Sequence, residues 1–172
     1  LLQIYFLGHK LLEEAMTPRI LGGDVRASEI NKAVKPFIYL LVEKSGEMTF
    51  RAKDTSVNML MMLFRHPSVE ISSGIEAIMD GIDQVGPAKM PWRVITARLE
   101  ILHSIVKEFG INDKHWNWLT VFNKLIGPSY NNPNPDVKLS AIETTLTFYM
   151  IIGTPLRTQV AKVPELKQNI AD

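Results

Sequence analysis

Apolar side chains recur at helical spacing along most of this chain, in segments separated by glycine and proline. Helices are predicted at about residues 1–16, 28–44, 49–65, 69–82, 91–109, 113–125 and 134–152, with a weaker segment in the tail around Pro164. Pro36 lies inside the second segment and should either kink that helix or begin another. No stretch keeps the strict apolar–polar alternation of a strand. The pattern therefore predicts an all-α protein whose helices come in pairs.

Polar residues mark where several of these helices begin. Asn134 is a predicted N-cap, followed by Pro135 and by Asp136 at the positive end of the helix. Asp113 is the predicted cap of the preceding helix. The segment between these two helices, 127–134, is rich in turn-forming residues and is predicted to be an exposed loop around Tyr130 that either contacts a partner or only varies.

Three short segments repeat an apolar residue, a base and an apolar residue: Phe50-Arg51-Ala52, Trp92-Arg93-Val94 and Val137-Lys138-Leu139. The bases are 42 residues apart between positions 51 and 93, and 45 apart between 93 and 138. Helical-hairpin repeats of the HEAT and armadillo kind have periods of about 40–47 residues. The sequence thus predicts an α-solenoid of three to four HEAT-type hairpins. Its approximate repeats are 1–26 (partial), 27–67, 68–110, 111–153 and 154–172 (partial).

Composition narrows the function of this predicted array. The 172 residues carry a net charge of +1, which argues against a nucleic-acid coat, and they include no cysteine, which excludes disulfides and thiol catalysis. The longest apolar run, 59–64, is too short to cross a membrane. The chain does not begin with methionine, so we expect a single repeat domain, 1–172, taken from a longer protein.

Candidate chemistry is sparse. His9 and Glu13 share a helix face, but two ligands do not make a metal site, and no glycine-rich phosphate loop occurs. A repeat array also has no single cleft; it has a row of equivalent turns along one edge, and such a row usually binds a large partner. We therefore expect a non-catalytic binding module with no cofactor, no metal and no catalytic residue.

Three segments carry a resemblance to known helical-repeat families. Asn134-Pro135-Asp136-Val137-Lys138 resembles the acidic–valine–basic start of the second helix of a HEAT repeat. The stretch from Val42 to Asp54, with Glu43-Lys44-Ser45-Gly46 and Arg51-Ala52-Lys53-Asp54, and that from Arg98 to Gly110 are similar to successive repeats of the TOG domains of the ciliary-tip and axonemal centrosomal protein family. The resemblance covers about residues 38–160, which would be a partial TOG array.

The resemblance implies a tubulin- or microtubule-binding module of the cytoplasm and cytoskeleton, at the axoneme or tip of a cilium, or at a basal body. Tubulin and other ciliary-tip or axonemal proteins would be its partners, without nucleic acid or membrane. In TOG domains, bases and an apolar anchor in the turns lie on acidic tubulin. Carried over, the partner-binding residues are Arg51, Lys53, Lys89, Trp92, Arg93 and Lys138.

Alternatives remain open for these residues. In the first alternative, Arg51, Arg93 and Lys138 stabilise the array instead of binding a partner, because each forms a salt bridge to an acidic residue of a neighbouring repeat. Trp92 is either an exposed anchor or a core residue at a helix start. Of Trp116 and Trp118, one should pack and the other lie at a surface or groove, because positions two apart do not share a helix face. The alternative function is a HEAT or armadillo scaffold that never contacts tubulin and uses its helix faces.

Overall fold

The computed structural model describes residues 2–16, 26–46, 50–112 and 116–163, and for 2–6, 9 and 50–52 only their place in a helix. Its helices are α1 (Leu2–Ala15), α2 (Ala27–Ser45), α3 (Phe50–Arg65), α4 (Ile71–Met79), α5 (Ile82–Val85), a 3₁₀ turn (Pro87–Lys89), α6 (Trp92–Phe109), α7 (Trp118–Val121), a π-helical segment (Phe122–Ile126), α8 (Gly127–Ser129), α9 (Pro135–Ile152) and α10 (Thr154–Val160). None of the residues described is in a strand, and none of their helices is long and apolar enough to cross a membrane. The all-α prediction is confirmed; that the hairpins stack into a solenoid, and the repeat boundaries, stay predictions.

Most predicted helices are present, with local differences at their ends. Pro36 lies inside a continuous α2, so a second helix start there is wrong. Asn134 caps α9 as expected, because its side-chain oxygen accepts a hydrogen bond from the backbone N–H of Asp136 at 2.8 Å. Asp113 lies outside the described residues, and the helix that follows begins at Trp118, capped by the side chain of Asn117.

The chain divides into two compact units, Leu1–Ala77 and Ile78–Asp172. In the first unit, hereafter unit 1, α2 packs along α3 around fully buried Ile38 and Leu60. The α4 backbone comes close to α3, because a Cβ on Gly74 would lie 3.1 Å from two ring carbons of Phe64. This close approach needs glycine at that position.

Two polar contacts fix α2 against the segment that starts α4. The side-chain oxygen of Asn31 accepts from the N–H of Glu70 at 3.2 Å, and Lys35 pairs with Glu76 at 2.6 Å. Their sequence separations are 39 and 41 residues, so the partners advance together and the two segments run parallel. The repeat period predicts this arrangement for unit 1: parallel helices whose contacting residues are about 40 positions apart in sequence.

The second unit, hereafter unit 2, is built on α6 and α9, which pack along each other. The Thr144 hydroxyl donates to the Leu99 carbonyl across this interface at 3.2 Å, with a separation of 45 residues. Thr147 meets the His103 ring 2.9 Å away, with a separation of 44. Because these separations lie within one residue of the 45 residues between positions 93 and 138, α6 and α9 run parallel and in the register indicated by the sequence repeat.

The segment between α6 and α9 differs from its prediction. Residues 127–129 are still helical, and Tyr130 is buried, with its hydroxyl donating to Thr145 at 2.7 Å. An exposed loop around Tyr130 is therefore wrong. An aromatic side chain next to polar turn formers can still fill the core when a hydroxyl partner is available for its O–H. Trp116 is buried edge-on against Phe148 and Trp118 is half-buried, so one packs and the other lies nearer the surface, as predicted. The predicted reason does not apply, because Trp116 precedes α7 and is not helical.

Candidate functional site

Two of the predicted partner-binding residues lie in unit 1. Arg51 is the second residue of α3, and its side chain is outside the described residues. Lys53 lies one turn into the same helix and is half-buried.

In unit 2, three of the candidates come together at the start of α6. Lys89 ends the 3₁₀ turn and is exposed. Trp92 is the first residue of α6 and is half-buried. Its exposure therefore lies between that of an exposed anchor and that of a core residue. The guanidinium carbon of exposed Arg93 lies 4.4 Å from the centroid of the Trp92 ring. This cation–π contact orients the arginine over a ring that is itself partly solvent-accessible.

Lys138 is exposed in the first turn of α9, at the position that corresponds to Arg93 in α6. Because α6 and α9 are parallel and in register, their N-termini lie at the same end of unit 2, and so do these two bases. Exposed Asp136 lies in the same turn as Lys138, so this end of unit 2 carries charge of both signs.

Neither Arg93 nor Lys138 forms an ion pair with any residue that the structure describes, so the inter-repeat salt bridges considered for them are not seen there. Two ion pairs that link helices involve other lysines: Lys35 with Glu76 at 2.6 Å, and Lys124 with Asp83 at 2.7 Å. Each joins side chains about one repeat apart. A search for opposite charges at that spacing would have found both from the sequence.

Sequence reasoning also missed the role of Arg98. Its side chain is only 8% exposed, and it donates to the carbonyls of Ile78 and Asp80 at 2.7 and 2.6 Å. These carbonyls belong to the C-terminal end of α4, where a cation is favoured by the helix dipole. Arg98 therefore has a structural role within unit 2. The available signal in the sequence was that Arg98 lies at helical spacing among the apolar positions of α6, which predicts a buried base.

The histidine on α6 has a structural partner. Nδ1 of His103 lies 2.9 Å from the hydroxyl oxygen of Thr147, which itself donates to the Glu143 carbonyl at 3.1 Å. The tautomer of the imidazole sets which of the two groups donates in this contact. This arrangement joins α6 to α9. Across the described parts of the chain, no three His, Asp or Glu side chains group as metal ligands would.

The clearest unassigned surface is on α9. Five large apolar side chains lie exposed along one face of this helix, hereafter the α9 stripe: Leu139 (56%), Ile142 (42%), Leu146 (57%), Tyr149 (46%) and Met150 (86%). The opposite face of α9 is also apolar and is buried, with Val137, Ala141 and Phe148 fully covered. A contiguous apolar face of this kind is typical of an interaction surface. Spacings of three and four residues were the signal in the sequence.

No family model, no curated protein and no solved structure matches the chain.

Proposed function

We propose that this chain is a non-catalytic, TOG-like helical-repeat module that binds tubulin or microtubules through exposed bases in its turns, at a cilium. The observation that supports this best is the shared end of α6 and α9. Two exposed bases occupy corresponding positions there, Arg93 and Lys138, and exposed Lys89 lies just before α6. Since neither Arg93 nor Lys138 is neutralised by an ion pair among the described residues, both are available to an acidic partner.

The Trp92–Arg93 pair adds to this argument. An arginine held over an aromatic ring loses less side-chain freedom on binding than a free one, and a guanidinium carries five N–H donors in a geometry that matches carboxylates. The half-buried indole supplies apolar area beside the charge. Aromatic and arginine side chains together are the commonest composition of binding hot spots. An acidic, curved protein surface such as that of tubulin fits this chemistry.

The test reverses two bases of unit 2, in the variant Lys89→Glu/Arg93→Glu. A matched control, Lys107→Glu/Arg157→Glu, makes the same change in net charge at exposed positions of the same unit, away from the start of α6. Binding is measured by size-exclusion chromatography with free tubulin and by co-pelleting with stabilised microtubules. Helix content is checked by circular dichroism.

We expect the first variant to bind tubulin about tenfold more weakly, because two exposed charge contacts of up to ~1 kcal/mol each are lost and repulsion replaces them. The control should bind like the unmodified chain, and higher salt should reduce the difference between the two variants. Equal weakening in both would show only a net-charge effect. Unchanged binding in the first variant would reject the turn-edge mechanism.

A scaffold that holds other proteins without contacting tubulin is the second candidate. The α9 stripe favours it, since an apolar helix face binds by burial and needs no acidic partner. Under this alternative, the chain neither pellets with microtubules nor co-elutes with tubulin, and the two charge variants behave alike. The pelleting experiment therefore separates the two candidates.

A further inference from the structure

The α9 stripe has an internal counterpart within unit 2. In the register that joins α6 to α9, Ile142, Leu146 and Met150 correspond to Ala97, Ile101 and Ile105 of α6. Those three side chains of α6 are between 0% and 1% exposed. These three positions are therefore buried on α6 and exposed on α9, whereas the counterparts of Leu139 and Tyr149, Val94 and Ser104, are half-buried.

The positions of the α9 stripe follow the heptad pattern of a coiled coil. Leu139, Ile142, Leu146 and Tyr149 occupy successive a and d positions, separated by three, four and three residues. Lys138 then occupies a g position and Glu143 the following e position. Both of these side chains are exposed on the edges of the stripe.

This charge pattern discriminates between orientations of a second helix. In a parallel pair, the g residue of one helix faces the e residue of the next heptad on the other helix, so Lys138 meets Glu143 of the other copy, twice by symmetry. In an antiparallel pair, like positions share an edge, which brings the two Glu143 carboxylates together. The α9 stripe is therefore self-complementary in one orientation and self-repelling in the other.

We propose that two copies of this chain associate through a symmetric, parallel pairing of their α9 stripes. The apolar surface available is small, since Leu139 to Tyr149 spans about 15 Å of helix and a stable dimer buries about 800 Å² from each partner. The association is accordingly weak, with a dissociation constant on the order of 10–100 µM. The proposal is independent of tubulin and is tested in its absence.

Sedimentation equilibrium over a range of protein concentrations measures the association. We expect a monomer–dimer equilibrium for the unmodified chain and a monomer at every concentration for Leu146→Lys, which places a charge in the centre of the α9 stripe. The matched control is Leu40→Lys in α2, which makes the same change at a leucine that is 45% exposed, and it should dimerise normally. If the unmodified chain is monomeric at every concentration, the proposal is wrong. It is also wrong if Leu146→Lys dimerises as strongly as the unmodified chain.

Charge exchange tests the pairing itself. Lys138→Glu and Glu143→Lys should each raise the dissociation constant severalfold, because each puts like charges at both edges of the pair. The double variant restores opposite charges and should return the constant close to its original value. Failure of the double variant to recover while both single variants weaken would exclude this ion pair and the parallel orientation.

A cysteine variant reports orientation directly, since the chain has no cysteine of its own. In the parallel pair, position 142 faces itself, so Ile142→Cys should form a disulfide-linked dimer on mild oxidation, because the Cα atoms meet the distance that a disulfide requires. In an antiparallel pair, position 142 faces 146, and the two Cα atoms at 142 are separated by roughly 10 Å, too far for a disulfide. Crosslinking in Ile142→Cys/Leu146→Cys but not in Ile142→Cys alone would overturn the parallel arrangement.

Discussion

Replacing Arg98 with methionine removes a charged hydrogen-bond donor from the interior of unit 2 while keeping an unbranched side chain of similar length. The Arg98 side chain is 8% exposed and donates at 2.7 and 2.6 Å to the carbonyls of Ile78 and Asp80. Each hydrogen bond from a charged group contributes about 1.5–3 kcal/mol. Burial of the methionine side chain offsets part of the loss, by about 1–2 kcal/mol. We expect Arg98→Met to lower the free energy of unfolding of unit 2 by about 2–4 kcal/mol.

The assay can be restricted to unit 2, because all three tryptophans of the chain, at positions 92, 116 and 118, lie there. Urea unfolding followed by tryptophan fluorescence should show a midpoint lower by about 1–2 M, given a denaturant slope of about 2 kcal/mol/M. The control is Arg93→Met, on the same helix and with the same change in charge. It loses an exposed cation–π contact of about 0.5–1 kcal/mol, so its midpoint should fall by less than about 0.5 M. Equal midpoints for the two variants would refute the role of Arg98 at the end of α4.

Two further changes test the packing. Burial raises the pKa of the Tyr130 phenol above its usual 10.0, and its hydrogen bond to Thr145 lowers that pKa by less. The stability that depends on this protonated phenol is present below about pH 10 and is lost as pH rises through the folded pKa. Tyr130→Phe should therefore lower the free energy of unfolding by about 1 kcal/mol at pH 7 and reduce the loss of stability at alkaline pH. Tyr149→Phe, at an exposed position, should change neither quantity. Gly74→Ala should lower the thermal midpoint of unit 1, monitored by amide exchange, because overpacking against a buried ring costs about 1–3 kcal/mol and exceeds the helix-propensity gain. Gly8→Ala, where nothing lies within 4 Å of an added Cβ, should raise it instead.

The sequence by itself determined which segments are helical and where several of them begin. Helical spacing of apolar residues and the cap at Asn134 are properties of short stretches of sequence, so both can be recognised without knowing what else the chain packs against. The separation of 45 residues between Arg93 and Lys138 also recurs in the hydrogen bond between Leu99 and Thr144. Parallel helices in register bring together residues that are one repeat length apart.

Tertiary structure decided how individual side chains are used. Tyr130 is buried because Thr145 on α9 supplies a partner for its hydroxyl, and Arg98 is buried because two helix-end carbonyls lie within its reach. Neither partner is adjacent in sequence. On α9, both faces are apolar, and the spacing of Leu146 and Phe148 alone does not tell which of them meets solvent. Only the position of α6 selects the covered face, since burial depends on which surfaces are brought together and not on the composition of a single helix.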